Sequence, residues 1–216
     1  TLSLAYYKKA FELADKHDFI VSNDECYSEL YRDEENPPLG ILEACQKLGR
    51  DQFERCIVLH SLSKRSTLPG LRSGFVAGNA QLLDFFFRYR TYHGCALSLP
   101  VQKASIAAWS DESHVLQNRQ LYKQKFEAVG SILSGVLEFN MPPAGFYLWP
   151  KTPIDDAVFA RDLYSQENVT VLPGSFISRA TNQGNPGDGR IRLALVPSLE
   201  DCIEAAERIK RFTLSL

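Results

Sequence analysis

Long apolar runs are missing from this chain of 216 residues, and none comes near the roughly 18 apolar residues that a membrane-spanning helix needs. The first residues carry no basic-then-apolar stretch of the kind that directs secretion. Positive charge is not in surplus either: 24 basic side chains against 26 acidic ones leave a formal charge of −2. No basic stripe marks a nucleic-acid contact. The five cysteines (Cys26, Cys45, Cys56, Cys95 and Cys202) are odd in number and form no C-x-x-C. That argues against a disulfide framework or a zinc site and suits free thiols in a reducing compartment. The four histidines include no pair at metal-ligand spacing. Repeats and low-complexity tracts are absent. What remains is a globular composition, and the expectation is a soluble, cytoplasmic enzyme of one large or two small domains.

The apolar pattern then divides the chain. Leu4, Tyr7, Phe11 and Ala14 fall at helical spacing, and Phe19-Ile20-Val21 reads as a short buried strand ending at Asn23-Asp24. A helix over 41–48 closes at Gly49, a favoured C-terminal cap. Cys56 to His60 and Gly74 to Gly78 read as further strands, and 80–90 and the segment up to Trp109 as helices. Alternating apolar strands and helices predict an α/β fold, a mostly parallel sheet with helices on both faces. Beyond 110–114 the pattern predicts a long helix with Val115, Tyr122, Phe126, Val129, Leu133 and Val136 on one face. Strands follow at 146–149, 169–172 and 190–195, with a helix at 156–166. Ser198 with Asp201 resembles a capping box opening the last helix, whose face is Ile203, Ala206, Ile209 and Phe212. The domains expected are 1–112 and a smaller α+β layer, 113–216.

Three local signals carry chemistry. Asp24-Glu25-Cys26-Tyr27 follows a strand, where open α/β sheets place ligands. Taken alone, an acid at a strand end more often caps a helix or faces water. Ser61 to Arg72, again just past a strand, combines hydroxyls, cations and a Pro-Gly turn into a potential anion cradle, although a solvated basic loop is the plainer reading. Arg190-Ile191-Arg192 opens a late strand, and alternation puts both arginines on the same face.

As an ordered set, these three resemble the fold-type-I, pyridoxal-phosphate-dependent class I/II aminotransferases. Ala144 to Trp149 and Val171 to Phe176 look like that family's small-domain strands. Within the family, Asp24 to Glu29, Ser63-Lys64-Arg65-Ser66, Arg90 to Gly94 and Asn185-Pro186-Gly187 resemble the succinyldiaminopimelate aminotransferases most. The resemblance covers nearly all of the chain but only about the C-terminal half of a family member. It therefore implies a native product of roughly twice this length. The expected missing half would hold the family's glycine/serine phosphate loop, a ring-stacking aromatic and an asparagine on the ring oxygen. Loss of an initiator Met before a small residue would explain Thr1, yet Met141 as the only methionine raises the same question of a longer product.

The resemblance also implies roles. Lys64 forms the Schiff base with the cofactor aldehyde and shuttles the Cα proton. Asp24 keeps the pyridine nitrogen protonated, since close opposite charges favour each other's ionised form. Tyr27 hydrogen-bonds the cofactor's ring oxygen. Ser61 and Arg72, with Ser63 a lesser candidate, bind the phosphate. Arg192 clamps the substrate α-carboxylate, and Arg90 reads a distal carboxylate across a homodimer. The implied reaction moves an amino group between N-succinyl-LL-2,6-diaminopimelate and 2-oxoglutarate, a step of lysine and diaminopimelate synthesis. Rival readings are another class I/II aminotransferase (aspartate, alanine or aromatic), a carbon–sulfur lyase on the same fold, or an inactive truncated chain with a dimerising role. Cys26, His60 and the helix bearing Phe85-Phe86-Phe87 are assigned to packing, and Gly184 to Gly189 to a loop. No metal is expected.

Overall fold

In the computed structural model, which describes residues 1–216, Ser3 opens the first helix: its Oγ accepts the Tyr6 amide at 3.2 Å. Helix α1 (Leu4–His17) ends at Asp18 in the left-handed conformation. Tyr7, Phe11 and Ala14 are buried at i, i+4, i+7 spacing, while Leu4 stays exposed. Strand β1 (Val21–Asp24) follows, then α2 (Ile41–Lys47) and β2 (Cys56–Ser61). Tyr7 and Phe11 of α1 cluster with Ile41, Ala44 and Cys45 of α2 and with Cys56 and Val58 of β2.

β1 runs parallel to β2, in register from Val21 opposite Cys56 to Asp24 opposite Leu59. After the single turn α3 (Leu62–Arg65) and a 3-10 turn at Pro69–Leu71, strand β3 (Gly74–Gly78) returns antiparallel to β2. The sheet is thus mixed, in the order β1-β2-β3, rather than mostly parallel. The connection between β2 and β3 holds only short turns and no full crossover helix, the element that usually joins parallel neighbours. Gly74 and Gly78 permit the close pairing, because a Cβ there would collide with the carbonyls of His60 and Cys56.

Two other expectations fail here. Phe19 and Ile20 are exposed, since pairing begins only at Val21. Helix α4 (Ala80–His93) buries none of its residues, so Phe85, Phe86 and Phe87 do not cover the sheet. Three successive side chains on a helix lie about 100° apart and cannot share one face. Helix α5 (Leu99–Trp109) and the long α6 (Ser113–Leu133) complete this part.

The chain divides into two compact units, Thr1–Arg119 and Gln120–Leu216, so the division falls inside α6 and not ahead of it at 112/113. The reason is local: Asn118 bonds the Lys64 carbonyl and Arg119 pairs with Glu29 and Glu34, which ties the first turns of α6 to unit one.

In unit two, β4 (Tyr147–Leu148), β6 (Ile191–Ala194) and β5 (Leu172–Pro173) form an antiparallel sheet in the order β4-β6-β5. The β5 pairing lies later than the expected 169–172, although Val169 and Val171 are buried. Helices α7 (Asp156–Glu167), the short α8 (Gly174–Ile177) and α9 (Leu199–Leu214) complete the unit. Its core gathers Phe126, Phe159, Leu148, Ile191, Ile209 and Phe212, all essentially inaccessible. Each buried Phe contributes about 1.5–3 kcal/mol. The Ser198 hydroxyl accepts the Asp201 amide at 3.1 Å and caps α9. The buried face of α9 is Cys202, Ala206, Ile209 and Phe212; Ile203 lies off it and is exposed. No helix of the chain is long and apolar enough to cross a membrane.

Candidate active site

Parallel pairing of β1 and β2 brings their carboxyl ends to one sheet edge, and with them Asp24 and Ser61. An open cleft of about 590 Å³ lies there, lined by Asp24, Ser61, Ser63, Arg72 and Arg90 among others. Five of the residues singled out from sequence, drawn from segments 66 positions apart, therefore share one cavity. Its apolar wall comes from Leu59, Phe75 and Val76 on the sheet and Leu83, Phe86 and Phe87 on α4.

The polar groups are held by short-range geometry. The Asp24 carboxylate accepts the Cys26 amide at 3.1 Å, which shapes the turn after β1. Glu25 turns away: it accepts the Ile41 amide at 2.6 Å, capping α2, where Gly40 offers no side chain. The Ser61 hydroxyl accepts the Ser63 amide at 3.1 Å, so it caps α3. It also donates to Ser63 Oγ at 2.8 Å, with Ser73's carbonyl at 3.3 Å. Ser61 and Ser63 thus bond each other within the loop, and both line the cleft where an anion would meet them. Arg72 adopts a left-handed backbone and donates Nη1 to the Pro69 carbonyl at 2.9 Å, and its guanidinium remains at the cleft wall.

Lys64 and Tyr27 are not among the lining side chains. Lys64 sits on α3, half-buried, and Tyr27 is 43% exposed. Lys64 is nonetheless close: burial first, then the hydrogen bond and charge of Asp24, push the Cys26 thiol up to about 11, while the Lys64 charge works in the opposite direction. The Cys26 thiol thus senses both Asp24 and Lys64, and Cys26 lines the cleft instead of packing in the core.

His60, assigned to packing from sequence, also lines the cleft. Its Nδ1 accepts the Ser61 amide at 3.0 Å, which leaves the proton on Nε2, 2.9 Å from Ser28 Oγ. Burial lowers its pKa, so the ring is neutral at neutral pH. It stacks on Phe75 and meets Trp109 edge-on. Only its position at a strand end hinted at this; the partners come from three other segments.

The two late arginines belong to unit two. Ile191 is fully buried between half-buried Arg190 and exposed Arg192, so the two share a face as alternation requires. Arg190 is committed to the fold, donating Nη1 to the Trp149 carbonyl at 3.1 Å. Arg192 lies over the Tyr147 ring at 5.9 Å with its guanidinium at the surface. Arg90 donates Nη2 to the Cys95 carbonyl at 2.9 Å. A cleft lined by hydroxyls, guanidinium groups and a carboxylate suits an anionic ligand that also carries a protonated base.

The profile of the family described as aminotransferase class I and II matches residues 1–209. An aminotransferase from Neisseria meningitidis has a crystal structure that superposes with a TM-score of 0.92 at 53% identity, over 98% of this chain and 53% of that one. A probable N-succinyldiaminopimelate aminotransferase from Thermus thermophilus superposes with a TM-score of 0.81 at 28% identity, over 98% and 54% of the two chains. The LL-diaminopimelate aminotransferase of Nitratidesulfovibrio vulgaris (strain Miyazaki F) is 30% identical over 214 residues, 97% of this chain and 52% of its own length. The chain spans about half the length of the curated relatives it matches.

Proposed function

We propose, since this chain belongs to the class I and II aminotransferases, that unit one is part of their cofactor-binding domain, unit two their small domain, and the protein a transaminase. The family is pyridoxal-phosphate dependent. The observation that carries the reading is the single cleft shared by Asp24, Ser61, Ser63, Arg72 and Arg90. Its donor set fits the cofactor: Ser61, Ser63 and Arg72 would hold the phosphate, and Asp24 the protonated ring nitrogen, with Tyr27 on the ring oxygen. Pyridoxal phosphate, when bound, supplies an aldehyde that condenses with amines and a ring that draws electrons from the adjoining carbon.

The chain's own groups do the rest. Lys64 Nζ would hold the cofactor, and its free amine would move the proton at the substrate Cα. The Asp24 carboxylate stabilises positive charge on the ring nitrogen. By the family resemblance, Arg192 would grip the substrate α-carboxylate through its planar fork and so orient the Cα–H bond. Arg90, at the cleft wall, reads a second carboxylate.

The substrates proposed are N-succinyl-LL-2,6-diaminopimelate and 2-oxoglutarate, for a homodimer in the cytoplasm. The motif resemblance and the Thermus thermophilus likeness support the donor. LL-diaminopimelate itself is the second reading, favoured by the names of the curated relatives. Borohydride reduction of the cofactor-loaded protein, then peptide mapping, should place the adduct on Lys64; an adduct on Lys103 or Lys123 would overturn the assignment. Rates with the succinylated and free donors, aspartate and an aromatic amino acid then rank the substrates. Pyruvate and ammonia released without an oxo-acid acceptor would identify a lyase instead.

A further inference from the structure

Lys64 stands on α3, a helix of four residues, and one turn has no stability of its own in water. Something outside α3 must therefore hold the lysine. The neighbouring side chain, Arg65, reaches such anchors. Arg65 is only 3% exposed, and its guanidinium is spent on partners from the α5–α6 junction. Nη1 donates to the Ala108 carbonyl at 2.9 Å and to Ser66 Oγ at 3.3 Å, and Nη2 pairs with the Glu112 carboxylate. The guanidinium carbon lies over the Trp109 ring, 4.8 Å from its centroid.

Trp109 carries the contact onward. Its ring meets Phe75 at 5.0 Å and His60 at 5.5 Å, and both of those line the cleft. The charge of Arg65 is felt at His60, where it adds to burial in keeping the imidazole neutral. Two further tethers reach the same turn: Asn118 Nδ2 donates to the Lys64 carbonyl at 3.2 Å, and Ser66 Oγ bonds His114 Nε2 at 2.8 Å. His114 is itself held by Asp111 at 2.6 Å. The turn bearing the lysine and the aromatic wall of the cleft are thus fastened to the same indole.

We propose that Arg65 is a positioning residue for Lys64: through Trp109 and Glu112 it fixes the lysine amine relative to the cleft wall. The inference rests on the assignment of Lys64 as the cofactor-bearing lysine. It predicts a requirement for a planar fork, because an ammonium keeps the charge yet cannot bond Ala108, Ser66 and Glu112 together while stacking on an indole.

The test compares the cofactor-loaded protein with Arg65→Lys, Arg65→Met and Glu112→Gln. Mapping the borohydride adduct in the unaltered protein comes first, and an adduct on any other lysine removes the underlying assignment independently of Arg65. With Lys64 confirmed, each variant is measured for melting temperature, cofactor occupancy, the rate at which borohydride traps the bound cofactor, and the pH midpoint of the cofactor absorbance. Arg65→Met should keep bound cofactor through the phosphate cradle, trap it roughly tenfold more slowly, and shift the absorbance midpoint. Arg65→Lys should resemble Arg65→Met in these two readouts while melting closer to the unaltered protein. Glu112→Gln, which leaves the Ala108 bond and the indole contact in place, should fall between. Unchanged trapping rate and midpoint in folded, cofactor-bearing Arg65→Met would overturn the proposal. So would full recovery of both by lysine, or losses that merely track the amount of folded protein.

Discussion

Replacing Asp156 by asparagine tests how unit two holds the strand that carries Arg192. Asp156 is 2% exposed, and no cation lies against its carboxylate; instead Oδ2 accepts the Ser175 amide at 2.8 Å and Oδ1 the Gly189 amide at 3.3 Å. Ser175 lies just after β5 and Gly189 just before β6, so one side chain joins both flanks of the strand pair. Asparagine keeps a single acceptor. One charge-assisted bond is weakened, worth about 1.5–3 kcal/mol, and one buried amide is left facing an NH₂ group, at about 1–3 kcal/mol. The neutral side chain is cheaper to bury, which offsets part of the loss and leaves about 2–3 kcal/mol net. For a chain of this size that corresponds to a melting point lower by about 4–12 °C. Burial alone would raise the Asp156 pKa, but the bonds from Ser175 and Gly189 outweigh it and hold the carboxyl below the ordinary aspartate value. A depressed folded-state pKa means that the stabilisation is complete above the unfolded value, near pH 4, and is lost as pH falls through the folded one. Thermal melts at pH 7 and pH 3 therefore provide the assay, and the gap between the native chain and Asp156→Asn should narrow in acid. Coincident melts at pH 7, or an undiminished gap at pH 3, would refute the reasoning.

Four further substitutions test the assigned arginines. Arg192→Ala should cost about 2–5 kcal/mol of transition-state binding, read from kcat/KM, because it leaves a substrate carboxylate unpaired; Arg190→Ala should instead lower thermal stability through the lost bond to Trp149, and the reverse pattern would exchange their roles. Arg72→Ala should weaken cofactor binding by roughly 10–100-fold, the worth of one charge-assisted contact, measured by titrating the apo-protein with pyridoxal phosphate. Arg90→Ala should lower the preference for dicarboxylic over neutral amino acids; an unaltered ratio of the two rates would remove Arg90 from the specificity site.

Local sequence was sufficient wherever the determining physics is local. The face of α1, the Ser198 cap of α9 and the burial of Ile191 between Arg190 and Arg192 follow from spacing and capping chemistry, which act within a few residues. Asp24, Ser61 and Arg72 were likewise legible, because strand ends and a hydroxyl-rich loop are read from neighbouring positions. Their meeting in one cleft was not, since that depends on the register of β1 against β2 and the return of β3. The same limit explains the failures. Phe19, Ile20 and the Phe85–87 run are apolar, but burial depends on what packs against a segment, and hydropathy does not record a neighbour. His60 and Arg65 show the point most clearly. Nothing next to them in sequence marks a neutral cleft imidazole or a buried guanidinium, because their partners, Ser28, Trp109 and Glu112, lie 32 to 49 positions away and arrive only when the chain has folded.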